Sequence, residues 1–580
     1  MLHHPNVILG VSFGHGDSSA ALIVGGQLVA AAEEERFNRI KHYALFPTQA
    51  VKYCLNQAGL SPSEVEVIAI GKKPWNQFFK KVPLLISHPH LLKLSRGQKN
   101  GATQTFSQWL SEMGLSRTHV RSFEHHLAHM MSSRFLSEAE TQAFLSFDGL
   151  GDFVSAAIGM STPQSLKILD RVVFPHSLGF FYSAMTQYLG FPYFGDEFKV
   201  MGLSSLGKPR FHSEMKNLIR EVEPFGFRLN IEAFPILKSP ELFYLVNGQP
   251  HVQTLYSPQY LTAVLGISPR KNKEPLAEAH WDLAKSVQLR FEEIANHLLR
   301  HLESKVPVDT LALSGGCAHN SVWVGKIIQN SRFRDIQVAP ASHDAGIAVG
   351  AAMAAYGAPV TPSAQSSWSL LGPQPQYSKS QIISQELQEH VFSKETKLAE
   401  FIADELSQGK IIGVARGRLE FGPRALGNRS ILADPRDFEM KDRLNARVKH
   451  RESFRPFAAS VLMEYQEQWF ENSFYAPTME AVFQVRSSMK SKIPGVVHVD
   501  GSCRIQSVTH KHQPFYWNLI EAFRKRTGIP MLINTSFNDS EPIVLSADDA
   551  VKCFLSTEMD YLLLENRLFS KKSAAIALTA

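Results

Sequence analysis

The 580-residue chain has little cysteine and no paired cysteine motif. Its four cysteines, Cys54, Cys317, Cys503 and Cys553, are far apart and form no Cys-x-x-Cys pattern. Zinc ribbons need closely spaced cysteine pairs, and small secreted domains need many cysteines for their disulfides. The cysteine usage therefore excludes both classes and predicts a protein of the reducing cytoplasm.

Long apolar runs and strong net charge are also missing. The longest apolar stretch, 346–360, is rich in Ala and Gly and falls short of the roughly 20 residues that span a bilayer. The first five residues carry no signal-peptide charge pattern. The formal net charge of +6 is mild, so it suits anionic small molecules better than nucleic acid. We therefore expect a soluble protein without membrane or nucleic-acid partners.

The length predicts several domains, because one hydrophobic core does not organise 580 residues. A stretch rich in Pro, Ser and Gln at 358–377 is the predicted linker between a first domain at 1–357 and a second at 378–580. Two other stretches, 72–118 and 225–278, are predicted to be insertions.

The first of these insertions mixes lysines with Trp75, Phe78 and Phe79. A basic aromatic patch can bind single-stranded nucleic acid. We favour the plainer interpretation, a solvated segment with a few packed aromatic side chains.

Strand and helix patterns alternate along the first domain and predict the α/β class. Val7–Val11 and Ala20–Val24 are typical of buried strands, and Gly25-Gly26 is typical of a hairpin turn. Apolar residues recur at helical spacing over 47–60 and 281–302.

A strand followed by a glycine-containing loop occurs twice. The first loop, 12–19, includes Gly14-His15-Gly16-Asp17, and the second begins Ser314-Gly315-Gly316 after the strand-like run 310–313. Glycine turns and helix N-termini let the backbone approach phosphate, and a neutral His15 could serve as a general base. Two related halves would then enclose a nucleotide, which is the two-lobed plan of actin and sugar kinases.

Four residues form a candidate metal site: His125, His129, Asp148 and Asp344. Two histidines four apart project from one face of a helix and can share an ion. Both aspartates adjoin glycine-containing turns, where backbone N–H groups can lie near phosphate. A mixed nitrogen and oxygen donor set suits iron(II), manganese or zinc. The pattern therefore predicts a metal beside a phosphate-binding loop.

The second domain is marked by arginine. From Arg416 to Arg455 there are nine arginines and two lysines against six acidic residues. Gly, Pro and aromatic residues interrupt this run, which favours a shaped anion pocket over a solvated face. Farther on, Asn534–Asn538 offers amide and hydroxyl groups for a small planar ligand.

Over nearly the whole length, the sequence resembles the ATP-dependent O-carbamoyltransferases of the NodU, CmcH and TobZ type. The most specific matches are Glu420–Pro435 and Phe454–Ala458. The resemblance implies an actin-like first domain and a YrdC-like second domain. The second would make carbamoyl adenylate from carbamoyl phosphate and ATP, releasing phosphate and pyrophosphate. The first would pass the carbamoyl group to an alcohol and release AMP.

The resemblance also implies roles for residues. His15 and Asp17 would be the catalytic residues, with His15 at the carbamoyl group. The metal ligands would hold iron(II) or another divalent ion, with Mg2+ compatible as a second ion. The nucleotide would contact Lys199, Gly202, Gly315, Gly316 and Asn320. Carbamoyl phosphate would contact Arg424, Lys449, Arg455, Arg504, Asn534 and Ser536.

Two alternatives share parts of this pattern. A tRNA-modifying enzyme that makes threonylcarbamoyladenosine has both domain types but needs a basic tRNA face. A non-catalytic, actin-like regulator would bind nucleotide only. A hydrogenase-maturation role would need Cys-x-x-Cys zinc motifs, which the sequence lacks. The expected acceptor is a hydroxylated small molecule, such as a secondary metabolite, and a homodimer is compatible with the sequence.

Overall fold

The computed structural model describes residues 4–89, 104–162, 165–238, 242–364, 367–375, 386–452 and 454–572. The chain divides into two compact units, the first formed by 1–320 and 327–365 and the second by 321–326 and 366–580. The boundary between 365 and 366 falls inside the predicted linker, of which 365–366 and 376–377 lie outside the described residues. The segment 321–326, in contrast, lies within the predicted first domain but belongs to the second unit.

The strands are β1 Val7–Ser12, β2 Ser19–Val24, β3 Gln27–Glu33, β4 Val67–Ile70, β5 His119–Ser122, β6 Gln142–Gly151, β7 Val154–Ser161, β8 Leu166–Val173, β9 Ile219–Glu221, β10 Phe227–Leu229, β11 Phe243–Val246, β12 Gln249–Val252, β13 Thr310–Ser314, β14 Asp335–Val338, β15 Thr361–Pro362, β16 Leu387–His390, β17 Ile412–Ala415, β18 Arg429–Ala433, β19 Ala458–Leu462, β20 Ala481–Gln484, β21 Ser502–Val508, β22 Met531–Ser536, β23 Tyr561–Leu564 and β24 Arg567–Lys571. The α-helices are α1 Glu35–Asn38, α2 Thr48–Ala58, α3 Phe78–Ser87, α4 Phe106–Glu112, α5 His125–Ser133, α6 Leu178–Tyr188, α7 Glu197–Leu203, α8 His212–Leu218, α9 Pro258–Leu265, α10 Glu278–Lys305, α11 Ser321–Val324, α12 Ile327–Asn330, α13 Gly346–Tyr356, α14 Glu395–Ser407, α15 Met440–Arg447, α16 Gln466–Trp469, α17 Pro514–Thr527 and α18 Ala547–Leu555. A membrane-crossing helix needs at least 18 residues of high hydropathy, and the described part of the chain contains none.

The first unit contains two sheets with the same topology. Their strand orders are β15-β3-β2-β1-β4-β5 and β14-β13-β6-β7-β8. In each, three consecutive antiparallel strands are extended by two strands parallel to the first of them. This repeat is the two-lobed, actin-like plan that was predicted, within the predicted α/β class.

The strands of the two lobes are equivalent in a different order from the one that the sequence predicts. The strand before the Gly315-Gly316 loop is β13, whose counterpart in the first lobe is β4, not β1. The counterpart of β1 is β6, so the 12–19 loop matches the turn at 148–153. Pairing the two loops was therefore wrong, because a strand followed by glycine does not reveal which strand of a sheet it is.

Two helices lie between the sheets and touch through glycine. Helix α13 packs on β1, β2 and β4, whereas α5 packs on β6 and β13 and against α13. A Cβ atom at Gly350 would lie 1.7 Å from the Ala128 carbonyl oxygen, and one at Gly10 would lie 1.9 Å from that of Ala348. Gly350 thus lets the two helices approach closely, and Gly10 lets α13 approach strand β1. The start of α5 is thereby brought next to the segment that precedes α13.

The predicted strands at the N-terminus, the Gly25-Gly26 turn and the two long helices are confirmed as β1, β2, α2 and α10. The prediction that 72–118 is an insertion is wrong for the last part of this segment. Phe106 and Trp109 of α4 join the core of the first lobe, and the Trp109 indole N–H donates to Thr48 Oγ1 at 2.9 Å. Residues 90–103 lie outside the described residues.

The three aromatic residues at the start of the same segment, Trp75, Phe78 and Phe79, are exposed rather than packed. Trp75 is 77% exposed, Phe78 46% and Phe79 89%. The favoured interpretation of packed aromatic side chains is therefore wrong at these three positions.

The second unit is built on a mixed nine-stranded sheet with the order β16-β24-β23-β17-β18-β22-β19-β21-β20. This is the α/β body for which the resemblance implied a YrdC-like fold. Strand β19 lies between β22 and β21, and Ala458 is paired in register with Asn534 on one side and Arg504 on the other. Two residues assigned to anion binding thus lie at the same level of the two strands that flank β19.

Candidate functional site

The four predicted metal ligands lie together in the first unit, with one ligand atom of each inside a 4.8 Å cluster. His129 Nε2 is 3.0 Å from Asp148 Oδ2, 3.1 Å from His125 Nε2 and 3.4 Å from Asp344 Oδ1. His125 Nε2 is 3.6 Å from the same Asp344 oxygen. Four donor atoms from three separate elements therefore converge on one point.

These residues fit a divalent cation. Atoms about 2.1 Å from one ion lie about 3 Å apart in neighbouring coordination positions, close to the shortest separations here. Burial alone would lower the pKa of His129, but hydrogen bonds to Asp148 and Asp344 and their charges outweigh it and raise that pKa to about 9. Within the described residues, the buried Asp344 Oδ1 has no hydrogen bond of normal geometry, because its contact with His129 Nε2 is 3.4 Å long. The carboxylates thus hold positive charge at this point, which a metal ion would supply.

The β6–β7 hairpin explains how Asp148 reaches the cluster. The register between these strands shifts between Phe147 and Gly151, so Asp148 leaves the regular ladder. Its Oδ1 accepts the Gly149 N–H at 2.6 Å. The hairpin then turns at Asp152, whose Oδ2 accepts the His125 backbone N–H at 2.9 Å. One hairpin therefore supplies a ligand and also anchors the start of the helix that bears the histidines.

Gly151 leaves room for His125, which leads to a testable prediction. A Cβ atom at Gly151 would lie 2.0 Å from Cδ2 of the buried His125 ring. We expect Gly151→Ala to displace the imidazole and weaken divalent-metal affinity by about 10- to 100-fold. Metal content after dialysis measures this, with Leu150→Ala as a control for disturbance of the same turn. Equal metal retention in Gly151→Ala and wild type would contradict the expectation.

His15 borders the cluster. Its Nδ1 is 3.9 Å from Asp344 Oδ2, and its ring centroid is 5.3 Å from that of His125. Burial lowers the pKa of His15 to about 4; the charge of Lys72 acts in the same direction, against that of Asp344. His15 is therefore neutral near pH 7 and can accept a proton.

Asp17 does not join the four-ligand cluster. Its Oδ1 is 2.7 Å from His42 Nδ1, and its Oδ2 is 3.9 Å from His343 Nε2. Burial by itself would raise the pKa of Asp17, but the charges of these histidines hold it well below its usual range. Arg36, paired with Glu33 at 2.6 Å, lies in the same buried network. Asp17 therefore anchors the 12–19 loop, of which it is part, to His42 and His343.

The structure brings two of the five predicted nucleotide residues to the cluster. A Cβ atom at Gly316 would lie 3.0 Å from Asp148 Oδ1, and one at Gly315, where φ is +85°, would lie 2.2 Å from the Phe147 carbonyl oxygen. Asn320 instead exchanges two hydrogen bonds of 2.9 Å with Gln288.

The other two lie on α7. The Lys199 ammonium is 2.8 Å from Asp196 Oδ1 and lies over the Phe191 ring at 5.3 Å. Gly202 follows on the same helix.

The arginines of the 416–455 run divide into two groups in the second unit. Most serve the fold. Arg429 is fully buried and donates to the carbonyls of Arg416, Gly417, Asn428 and Pro373, and Arg418 donates to those of Leu371 and Gly372. Four others form ion pairs with carboxylates: Arg416 with Glu395, Arg436 with Asp434, Arg443 with Asp437 and Arg447 with Glu558. A second group interacts mutually: Arg424, Arg451 and Arg455, together with Arg504 of β21.

These four guanidinium groups form a site of concentrated positive charge. Burial, with the charges of Arg504 and Arg455, holds the pKa of Arg424 well below its usual range. Burial, with the charges of Arg455 and Arg504, lowers the pKa of Arg451 to about 9. Burial, with the charge of Arg455, lowers the pKa of Arg504 to about 10. Glu452, 3.7 Å from Arg455, offsets part of this charge, and guanidinium forks suit phosphate, so the cluster favours binding of an anion.

Lys449 and Ser536 are brought together, as the resemblance implied. The Lys449 ammonium donates to the Ser536 carbonyl at 2.9 Å and to the Asn538 carbonyl and side-chain oxygens at 2.6 Å each. Asn534 is buried, and its Nδ2 donates to Ser460 Oγ at 2.9 Å, which joins β22 to β19. This amide is engaged in holding the strands that carry the site.

Sequence reasoning assigned no role to Lys72, Asp152 or Gln288. Lys72 follows the short strand β4, and Asp152 is the fifth residue of the turn that begins with Asp148. Residues directly after parallel strands commonly line ligand sites, so the strand end before Lys72 was an available signal.

Both units match models of one protein family. Residues 7–353 match the carbamoyltransferase N-terminus and residues 403–571 the carbamoyltransferase C-terminus. The nodulation protein NolNO of Sinorhizobium fredii is 37% identical over 99% of this chain and 82% of its own length. The nodulation protein NolO of Bradyrhizobium diazoefficiens is 37% identical over 78% of this chain and 79% of its own. The crystal structure of T. kodakarensis HypF is 12% identical, with a TM-score of 0.31, and the match covers 61% of this chain and 48% of HypF. The chain therefore belongs to the carbamoyltransferase family and is an enzyme of carbamoyl transfer.

Proposed function

We propose that this enzyme is an ATP-dependent O-carbamoyltransferase that works through carbamoyl adenylate. The supporting observation is that two chemically different sites occur in one chain, a cluster of arginines and a cluster of histidines and aspartates. The first suits a dianion such as carbamoyl phosphate, and the second suits a divalent ion beside a nucleotide. Having both sites in one protein would limit hydrolysis of a reactive intermediate.

In the first step, the second unit would consume carbamoyl phosphate, ATP and water and release phosphate and pyrophosphate. Arg424, Arg455 and Arg504 would bind the phosphate of the donor. Lys449 and Ser536 would complete the site through the hydrogen bonds that join them, with Asn534 holding the strands in register.

In the second step, the first unit would transfer the carbamoyl group to a hydroxyl group. Neutral His15 would take the hydroxyl proton as the new C–O bond forms, and AMP would leave. Asp17 would hold the loop that carries His15.

The nucleotide and the metal would share this unit. The Gly315-Gly316 turn would approach the nucleotide, with Asn320, Lys199 and Gly202 supporting it. The four-ligand cluster would hold the divalent ion, for which we propose iron(II). When bound, such an ion supplies Lewis-acid polarisation of phosphate and carbonyl oxygens.

The proposed acceptor is a hydroxylated small molecule. The second predicted insertion, 225–278, contributes the β11–β12 hairpin to the first lobe. There Ala44 donates its backbone N–H to the Gly248 carbonyl at 2.8 Å. Ala44 lies in the same segment as His42, which contacts Asp17, so this hairpin is a candidate for acceptor contacts near the 12–19 loop.

Pyrophosphate release tests the proposal. We expect release from ATP that requires carbamoyl phosphate, with iron(II) supplied and no acceptor present. Omission of carbamoyl phosphate is the control. Release that instead requires bicarbonate and threonine would favour the tRNA-modifying alternative. Nucleotide binding without release under either condition would favour the non-catalytic regulator.

A further inference from the structure

Lys72 comes just after strand β4 of the first sheet, at the same edge of the sheet as the loop that carries His15. It follows β4, which runs parallel to β1, so the carboxyl ends of the two strands lie side by side. The backbone is closely packed at Gly71, where a Cβ atom would lie 2.1 Å from Ile347 Cγ2 and 3.0 Å from Ala128 Cβ. In open α/β sheets, ligands bind in the crevice beyond such strand ends.

The Lys72 ammonium reaches the backbone of the His15 loop. A Cβ atom at Gly14 would lie 3.2 Å from Lys72 Nζ, and the charge of Lys72 acts on His15. Burial lowers the pKa of Lys72, whereas the charges of Asp152 and Asp344 raise it. The side chain thus extends into the space between the loop and the four-ligand cluster.

The two carboxylates near this ammonium are already engaged. Asp344 belongs to the four-ligand cluster, and Asp152 Oδ2 accepts the backbone N–H groups of His125 and Lys73 at 2.9 and 2.8 Å. Within the described residues, Lys72 Nζ donates no hydrogen bond. This ammonium, of intermediate exposure and with no protein acceptor among the residues that the structure describes, is available to donate to an anion that arrives with the substrate.

We propose that Lys72 binds the phosphate of carbamoyl adenylate and of the AMP that leaves, which makes it a catalytic residue of the transfer step. The inference rests on the proposed function. As the acceptor oxygen bonds to the carbamoyl carbon, the bond from that carbon to the phosphate oxygen breaks, and its electron pair stays on the phosphate. The hydroxyl proton goes to His15. A lysine point charge beside the phosphate stabilises the charge that develops there.

Chemical labelling tests this assignment in the wild-type protein, with iron(II) supplied. We expect AMP to slow acetylation of Lys72 by acetic anhydride at least about tenfold. This factor corresponds to the free energy of one charge-assisted hydrogen bond between Lys72 and the AMP phosphate. Adenosine at the same concentration should not protect it, because it lacks phosphate. The exposed neighbour Lys73 is the internal control, read in the same peptides by mass spectrometry. Equal acetylation with and without AMP, or equal protection by adenosine, would overturn the proposal.

A variant series provides the second measurement. Lys72→Met should weaken AMP binding by about 10- to 100-fold, Lys72→Arg should retain most of it, and Lys73→Met should match wild type. Wild-type AMP affinity in Lys72→Met would overturn the inference. Pyrophosphate release by the same preparations judges the proposed function separately, since the first step uses the second unit. Its absence in wild type would refute adenylate formation, while labelling would still decide whether Lys72 binds phosphate.

Discussion

Replacement of His129 by alanine is expected to abolish carbamoyl transfer while leaving carbamoyl-phosphate-dependent pyrophosphate release near the wild-type rate. His129 Nε2 is within 3.4 Å of all three other ligand atoms, so its loss removes the centre of the cluster. Asp148 and Asp344 would then lose their contact with the imidazole, and the metal site would lose one of its four ligands. We expect metal affinity to fall by at least about 100-fold.

Metal content after dialysis and transfer of labelled carbamoyl groups to an acceptor measure this effect. His119→Ala is the matched control, because His119 is an exposed histidine of the same unit. Asp344→Asn, which keeps the side-chain volume, separates loss of a ligand from loss of packing. Retention of metal and transfer by His129→Ala would contradict the assignment. Loss of both half-reactions in a folded variant would contradict the division of labour between the units.

Replacement of Arg455 by alanine is expected to raise the concentration of carbamoyl phosphate needed for pyrophosphate release by about 100-fold. Arg455 is one of four mutually repelling arginines, and a charge-assisted contact with phosphate contributes about 1.5–3 kcal/mol. The same change removes a repulsive charge from Arg424, Arg451 and Arg504. It also removes the 3.7 Å ion pair with Glu452, which is partly exposed and therefore weak. We therefore expect the thermal midpoint without ligand to stay the same or rise while activity falls.

Pyrophosphate kinetics and thermal unfolding measure the two parts of this expectation. Arg447→Ala is the matched control, because Arg447 comes from the same run but pairs with Glu558 at an exposed position. Metal content should be wild type in both variants. Unchanged dependence on carbamoyl phosphate in Arg455→Ala would remove this residue from the site, and a large loss of stability would assign it to the fold instead.

The ligand cluster was readable from the sequence because its signals are local. His125 and His129 share a helix face at a spacing of four, and Asp148 and Asp344 each adjoin a glycine turn, so short windows revealed all four. Apolar periodicity likewise located α2 and α10, since a buried helix face repeats every three or four residues. The resemblance then supplied roles that spacing alone could not.

The roles of the individual arginines could not be assigned from local sequence signals. Nine arginines between Arg416 and Arg455 look alike in sequence, yet Arg429 bonds backbone carbonyls while Arg424 and Arg455 face other arginines. Whether a guanidinium serves the fold or a ligand depends on which distant carbonyl or carboxylate lies within about 3 Å of it, and that is a property of the folded chain.

The sequence by itself determined the donor atoms of this protein: two histidines, two aspartates, an arginine run and the elements that carry them. The tertiary structure alone decided their surroundings. It made β6, and not β13, the counterpart of β1, and it placed Trp109 in the core. It also paired Asp17 with His42 and brought Lys72 beside the loop that carries His15. The physical reason is that strand order, burial and unpaired charge arise from contacts between residues far apart in the chain, which no local pattern encodes.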